Sequence, residues 1–222
     1  MCKETLIEQS EQTYRTLEVK QEDLPFPEDF PFDFYNASGA RREASYLHQH
    51  EFLEINYITG GRGSNYIDHR CYPLHSGDLY LINNKEHHIA VSDGTLDMKI
   101  LVFTPALIGE YDIATIEYLH PFFHGSGAGN RIALSPVERK QIEALLKKIE
   151  MEWSTHQKGY RLFVRAFVME LLAVIYRAYM KMKHPAESAS DQLNWERIRP
   201  AVELMHQRII DPLSLDQLSE AA

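Results

Sequence analysis

Between residues 41 and 104 the chain alternates short runs of β-branched, aromatic and aliphatic residues with polar, glycine-rich breaks. The runs fall at 54–59, 64–68, 71–74, 78–82, 88–92 and 98–103. The breaks are Gly60-Gly61-Arg62-Gly63, Asp68-His69-Arg70, His75-Ser76-Gly77 and Ser92-Asp93-Gly94. Many short strands at regular spacing with glycine turns predict an all-β sandwich or barrel. Upstream, residues 21–35 carry three prolines among aromatics and acids. Such a stretch predicts an extended lead-in lying on the body of the domain.

After Phe103 the period changes. Residues 105–134 read as a short helix and a loop marked by Gly125, Gly127 and Gly129. Ser135-Pro136-Val137-Glu138 is a capping-box helix start with proline at the first helical position. Ile142, Leu145, Leu146, Ile149 and Trp153 follow as one apolar stripe. A second helix over about 160–183 is apolar nearly all round, with Phe163, Phe167, Leu171 and Val174 on one side. A helix apolar on more than one face needs two partners, here predicted to be the preceding helix and a second subunit. Residues 184–193 are a polar linker. From 194 on, Ile198, Val202, Met205 and Ile209 share a helical face, and Ser214-Leu215-Asp216-Gln217 is another capping-box start.

Composition narrows the class. Two cysteines, Cys2 and Cys71, give neither a disulfide framework nor a zinc ribbon, so a reducing compartment is expected. The first twenty residues hold no apolar core of a signal peptide, and no window is long enough to span a membrane. The formal net charge is −9. Surfaces that grip nucleic acid are basic, so the residues present are not expected to bind DNA by themselves.

Six of the eleven histidines (48, 50, 69, 75, 87 and 88) fall in the strand region. On a strand, His48 and His50 share a face, and Glu54 keeps that parity if the strand runs on unbroken. A histidine from a distant strand would complete a set of imidazoles and one carboxylate, suited to Zn, Fe, Ni or Mn. The same inward histidines could instead contact an organic ligand or one another. His69 and His75, in turns, read as exposed surface. Phosphate-binding and dinucleotide loops are missing, Gly125-Ser126-Gly127 is no nucleophile elbow, and Cys71 has no paired base.

His48, His50, Glu54 and Gly61 match the H-x-H, E, G spacing of the first cupin motif, and Gly77-Asp78 through His88 resemble the second. There Asn84-Lys85 replaces a proline-glycine turn, and spacing favours His88 over His87 as the inward residue. Over almost its whole length the chain resembles the AraC-type transcription regulators. The carrying residues are Phe26-Pro27, Phe30-Pro31, His48-Gln49-His50, residues 54–58, 77–83, Val102-Phe103-Thr104-Pro105, the helical pair and residues 198–222.

The resemblance implies a mainly β fold with an α appendage. A cupin-type double-stranded β-helix (a jelly-roll barrel) would be followed by a two-helix dimerisation segment and the start of a helix-turn-helix. The implied organisation is an arm over 1–35, an effector-binding barrel over 36–111, a helical dimerisation segment over 112–183, a linker over 184–193 and an incomplete helix-turn-helix domain over 194–222. Candidate effector residues are His48, His50, Glu54, Asn56, Tyr80 and His88; candidate metal ligands are His48, His50, Glu54 and His88. Phe163, Phe167, Leu171 and Val174 are the dimerisation candidates. The expected partners are a small-molecule effector such as a sugar, a second copy of the chain, and DNA through a recognition helix that would follow Ala222; no DNA-binding residue is expected within the chain, and no membrane. No cofactor is required, though a divalent metal would fit. The expected product is a cytoplasmic, non-enzymatic sensor; the alternative is a metal-dependent cupin enzyme such as a dioxygenase or isomerase. The aromatic lead-in would either close over the pocket or pack as fixed core.

Overall fold

The structure is a computed structural model, and it describes residues 19–23, 26, 29–39, 46–68, 70–109, 113–123, 129–182, 200–202, 204–205 and 213–221. His69, the linker over 184–193 and Ile198 and Ile209 lie outside the described residues.

Two five-stranded sheets face one another in a barrel-like, cupin-type arrangement with helices on one side. The first sheet holds, in order, β1 (Lys20–Gln21), β3 (His48–Gln49), β8 (His88–Ser92), β5 (Gly63–Ile67) and β6 (Arg70–Leu74). The second holds β10 (Arg131–Ile132), β7 (Leu79–Ile82), β4 (Leu53–Gly60), β9 (Asp97–Phe103) and β2 (Phe32–Ser38). The six strand runs legible in the sequence are β4 to β9. β2 was read only as an extended lead-in, yet all seven of its residues pair antiparallel with β9.

The central strands of the second sheet, β7, β4 and β9, are buried on both faces, and alternation along them divides the work. Leu53, Ile55 and Tyr57 of β4, with Leu79, Leu81, Leu101 and Phe103, pack outward against the helices. Ile58, Tyr80, Ile82, Met98, Ile100 and Val102 point inward to a second cluster shared with Ile67 and Leu74 of the opposite sheet. Glu54 and Asn56, offset by one from the outward residues, therefore face the barrel interior. The aromatic lead-in divides likewise. Phe30 and Phe32 pack on Trp153, with ring centroids 6.1 and 5.1 Å away, as fixed core, whereas Tyr35 turns toward the interior.

The turns have clear causes. Gly61 has φ +76°, and a Cβ there would sit 1.9 Å from the Thr95 carbonyl oxygen, so only glycine fits this turn between β4 of one sheet and β5 of the other. Lys85, at φ 68°, occupies the left-handed position of the turn before His88, where Asn83 Oδ1 accepts from the Asn84 N–H at 2.8 Å.

Two short helices, α1 (Ile113–Ile116) and α2 (His120–Phe123), lead to the long pair α3 (Pro136–Thr155) and α4 (Tyr160–Met182). The Ser135 capping box is present: its hydroxyl accepts from the Glu138 N–H, and Glu138 reaches back to the Ser135 N–H at 2.8 Å. α4 buries Val164, Val168, Leu171, Leu172, Ile175 and Ala178. Its second apolar side, assigned from the sequence to another subunit, is in large part covered by residues 105–108 and 117–123 of the same chain. Leu171 (0 % exposed) and Val174 are consumed in that internal core, whereas Phe163 remains half exposed. Ser214 caps α5 (Leu215–Ala221) as its pattern predicts, accepting from the Gln217 N–H at 3.2 Å. No helix among the described residues is long and apolar enough to cross a membrane.

Candidate metal and effector site

His48, His50, Glu54 and His88 come together inside one end of the barrel, their ligating atoms all within 4.8 Å of one another. The convergence does not arise from one unbroken strand, as parity alone suggests. His48 lies on β3 directly opposite His88 on β8. The chain then turns a corner at residues 50–52, which the Lys85 N–H holds through the His50 carbonyl at 2.7 Å. Glu54 enters on β4, so the site sits where the two sheets meet. His88 is the inward histidine; His87 points out toward Asp68 and His75 is exposed.

Each of the three imidazoles is oriented in the same way. His48 Nδ1 lies 3.0 Å from the Tyr46 carbonyl oxygen, His50 Nδ1 2.9 Å from that of Phe52, and His88 Nδ1 3.0 Å from that of Glu86. A carbonyl can only accept, so each ring donates from Nδ1, and a neutral ring then has only a lone pair at Nε2. Those Nε2 atoms meet carboxylates. His50 Nε2 is 3.0 Å and His88 Nε2 3.6 Å from Glu54 Oε2, and His48 Nε2 is 3.2 Å from Glu22 Oε2. His88 Nε2 is buried without a hydrogen-bond partner. The cluster is thus rich in acceptors and short of positive charge, which a second proton on a ring or a metal cation would supply. Backbone carbonyls behind three imidazoles are the outer contacts that orient histidine ligands, and the donor set suits a borderline divalent ion. The residues present fit a metal.

The electrostatics follow from this crowding. Burial and the neighbouring His88 push His48 down to about 4. Burial alone would raise Glu54, but the His50 and His88 rings beside it, which can donate to it once protonated, hold its carboxyl far below the usual range. Burial would lower His88, and the Glu54 carboxylate beside it outweighs that and raises it.

The cluster opens into a cavity of about 210 Å³. Glu22, Tyr35, Tyr46, Asn65, Met98 and Ile100 line it besides His48, Glu54, Asn56 and His88. Asn56 Oδ1 and Asn65 Oδ1 are buried there with no partner. Burial first, then the charges of Glu54 and Glu22, raises the Tyr35 hydroxyl, which stays a donor. Tyr80, expected at the effector site, is inward but elsewhere. Its hydroxyl donates to the Pro73 carbonyl at 3.0 Å and its ring packs on Tyr72, so the fold does not bring it to the cavity. Asn65 was missed because its strand carries no motif, and Glu22 because nothing in an acidic lead-in says which acid turns inward.

The family model for the AraC-like ligand binding domain matches residues 32–172, well over half of the sequence and the whole of this site except Glu22. The chain belongs to that family. L-ectoine synthase of Mycolicibacterium vanbaalenii is 29% identical to this AraC-like domain over 80 residues, 35% of this chain and 61% of the synthase. The chain therefore spans less than two thirds of that curated relative. Among solved structures, the AraC-like transcriptional activator CuxR is similar at 12% identity and a TM-score of 0.37, covering 64% of this chain and 49% of that one. A predicted oxalate decarboxylase from Thermotoga maritima is similar at 23% identity and a TM-score of 0.28, covering 33% of this chain and 64% of that one.

On the far side of the AraC-like domain, the surface of α4 offers Leu162, Phe163 and Met169, all exposed. Phe163 stacks on Phe167 at 6.0 Å, and the Lys148 ammonium lies over the Phe167 ring at 5.2 Å. Of the four dimerisation candidates, then, Phe163 and Phe167 stand toward the surface.

Proposed function

We propose that this chain is the effector-sensing and dimerising part of an AraC-type transcription regulator, which acts on DNA through a helix-turn-helix domain that begins near residue 194. The observation that carries the reading is a ligand-binding domain of this family whose cavity holds buried, unpartnered polar atoms. Unpaired buried acceptors are costly unless a ligand meets them. In the proposal the arm spans 1–35, the barrel 36–111, the helical segment 112–183 and the linker 184–193. The effector contacts His48, His50, Glu54, Asn56 and His88, and the protein works in the cytoplasm as a homodimer joined through the α4 surface around Phe163 and Phe167. Effector binding biases the relative placement of two DNA-binding domains, by no more than its difference in affinity for the two arrangements.

The His48, His50, Glu54 and His88 set would hold a divalent ion, which when bound supplies the missing positive charge and a Lewis acid. The protein's own part is to fix three imidazoles through carbonyls and to keep Glu54 ionised beside them. A second reading, a metal-dependent cupin enzyme, is favoured by this same cluster and by the partial likeness to L-ectoine synthase. A thermal-shift screen of sugars, polyols and small amines, run with and without Mn²⁺, separates the two. The sensor reading expects a compound that raises Tm in the wild type and not in Asn56→Ala, and that leaves the reaction mixture chemically unchanged. A compound consumed with turnover would contradict it in favour of the enzyme.

A further inference from the structure

One acid of the cavity comes from the N-terminal segment. β1 pairs parallel with β3, Lys20 opposite His48 and Gln21 opposite Gln49. The strand is two residues long and both are exposed, so no buried side chain anchors it. It is held by the Lys20 N–H on the Leu47 carbonyl, the Glu22 N–H on the Gln49 carbonyl, both at 2.9 Å, and the Gln49 side-chain amide on Gln21 Oε1 at 3.1 Å. The next residue, Glu22, turns its carboxylate into the cavity and sets Oε2 3.2 Å from His48 Nε2.

That contact repeats the excess of acceptors in the cluster. The His48 N–H is directed at the Tyr46 carbonyl, so a neutral His48 turns a lone pair toward a carboxylate. A second carboxylate, Glu54, lies in the same cavity, and among the described residues no lysine or arginine lines it. Lys20, the nearest basic residue along the strand, is turned away with its ammonium 4.9 Å above the Tyr46 ring. The four-residue group and, beside it on His48, the Glu22 carboxylate thus bring two carboxylates and three imidazole lone pairs together with little solvent between them. These repel one another unless a cation sits among them. The donor set of two carboxylates with imidazoles matches borderline divalent metals such as Mn²⁺, Fe²⁺, Ni²⁺ or Zn²⁺.

We propose that Glu22 is a fifth metal-binding group of this site, so that a divalent ion held by His48, His50, Glu54 and His88 also fastens β1 to the barrel. The inference rests on the cluster holding a divalent ion, and it adds a consequence: occupancy of the site is read out as attachment of the N-terminal segment. β1 carries its own reporter, because trypsin cleaves after Lys20.

The test titrates the chelator-stripped 222-residue chain with Mn²⁺ and with Zn²⁺ by calorimetry, beside Glu22→Gln and Glu22→Ala. Tryptic cleavage after Lys20 is followed by mass spectrometry with and without each metal. Glu22→Gln keeps the size and polarity of the side chain and leaves the barrel core untouched. The expected result is about tenfold or greater loss of affinity in both variants, of the size seen when groups around a metal are removed. Metal should also slow Lys20 cleavage in the wild type and not in the variants. Variants that bind as tightly as wild type, with the same protection of Lys20, overturn the role of Glu22 while leaving the four-residue site intact. Wild-type protein that takes up neither metal overturns the metal reading itself, and this inference with it.

Discussion

The two faces of β4 do opposite things with alternate residues of one strand. Leu53, Ile55 and Tyr57 point outward into the largely apolar core formed with α3 and α4, where the Tyr57 hydroxyl donates to Glu143 at 2.6 Å. Glu54 and Asn56 point inward, where carboxylate, imidazole and amide groups meet with unpartnered atoms among them. The outer face holds the fold together. The inner face is maintained at a cost in polar burial, and natural proteins retain such costs where a ligand is to be met. The helices are therefore what allows the interior to be polar: with the second sheet fastened from outside, the interior near Glu54 need not be filled with hydrocarbon.

The largest expected effect breaks the outer face. Ile55 is fully buried, and Ile55→Ala should cost about 2–5 kcal/mol in chemical denaturation, with metal uptake by the remaining folded protein unchanged. On the inner face the sign should reverse. Glu54→Gln offers an amide N–H to the His50 Nε2 lone pair, so the metal-free protein should be no less stable and gain up to about 1 kcal/mol, while metal affinity falls sharply. A loss of several kcal/mol there would mean that Glu54 is structural. Tyr80→Phe sharpens the boundary within the interior. Its hydroxyl bonds only within the fold, so the variant should lose about 1 kcal/mol and bind metal as the wild type does.

The smallest effect is at the outer edge, in the α3 cap. The Lys181 ammonium and the Ser135 hydroxyl hold Glu138 down at about 2, against an ordinary 4.5. A carboxyl with a depressed value in the folded state stabilises the fold above its unfolded value. That contribution is complete above about 4.5 and fades as pH falls toward 2. Glu138→Gln should therefore flatten the pH dependence of stability in this window and leave the neutral-pH cavity unaffected.

Much of this contrast was legible in the sequence. The six central strands announced themselves by alternation and glycine turns, α3 by its capping box, and the inward histidines by spacing. The shortest strands were not: β1 and β10 have two residues each and no pattern can form in two. β2 hid behind prolines at 27 and 31. Spacing named His48, His50, Glu54 and His88, but the reason they meet is a corner between strands and a cross-strand pair, which only topology supplies. Asn65 and Glu22 reach the cavity from separate strands and carry no motif. Leu171 and Val174 look like interface residues in one dimension because the short pieces that cover α4, residues 105–108 and 117–123, have too little periodicity to be recognised as partners.

The most direct test of the inner face as a ligand-binding surface is metal analysis of the chelator-stripped chain after reloading with Zn²⁺ and removal of free ion, with His50→Ala and His88→Ala alongside. Stoichiometric metal in the wild type, lost in both variants while they stay folded, is the predicted result. Folded wild-type protein that retains no metal would contradict it.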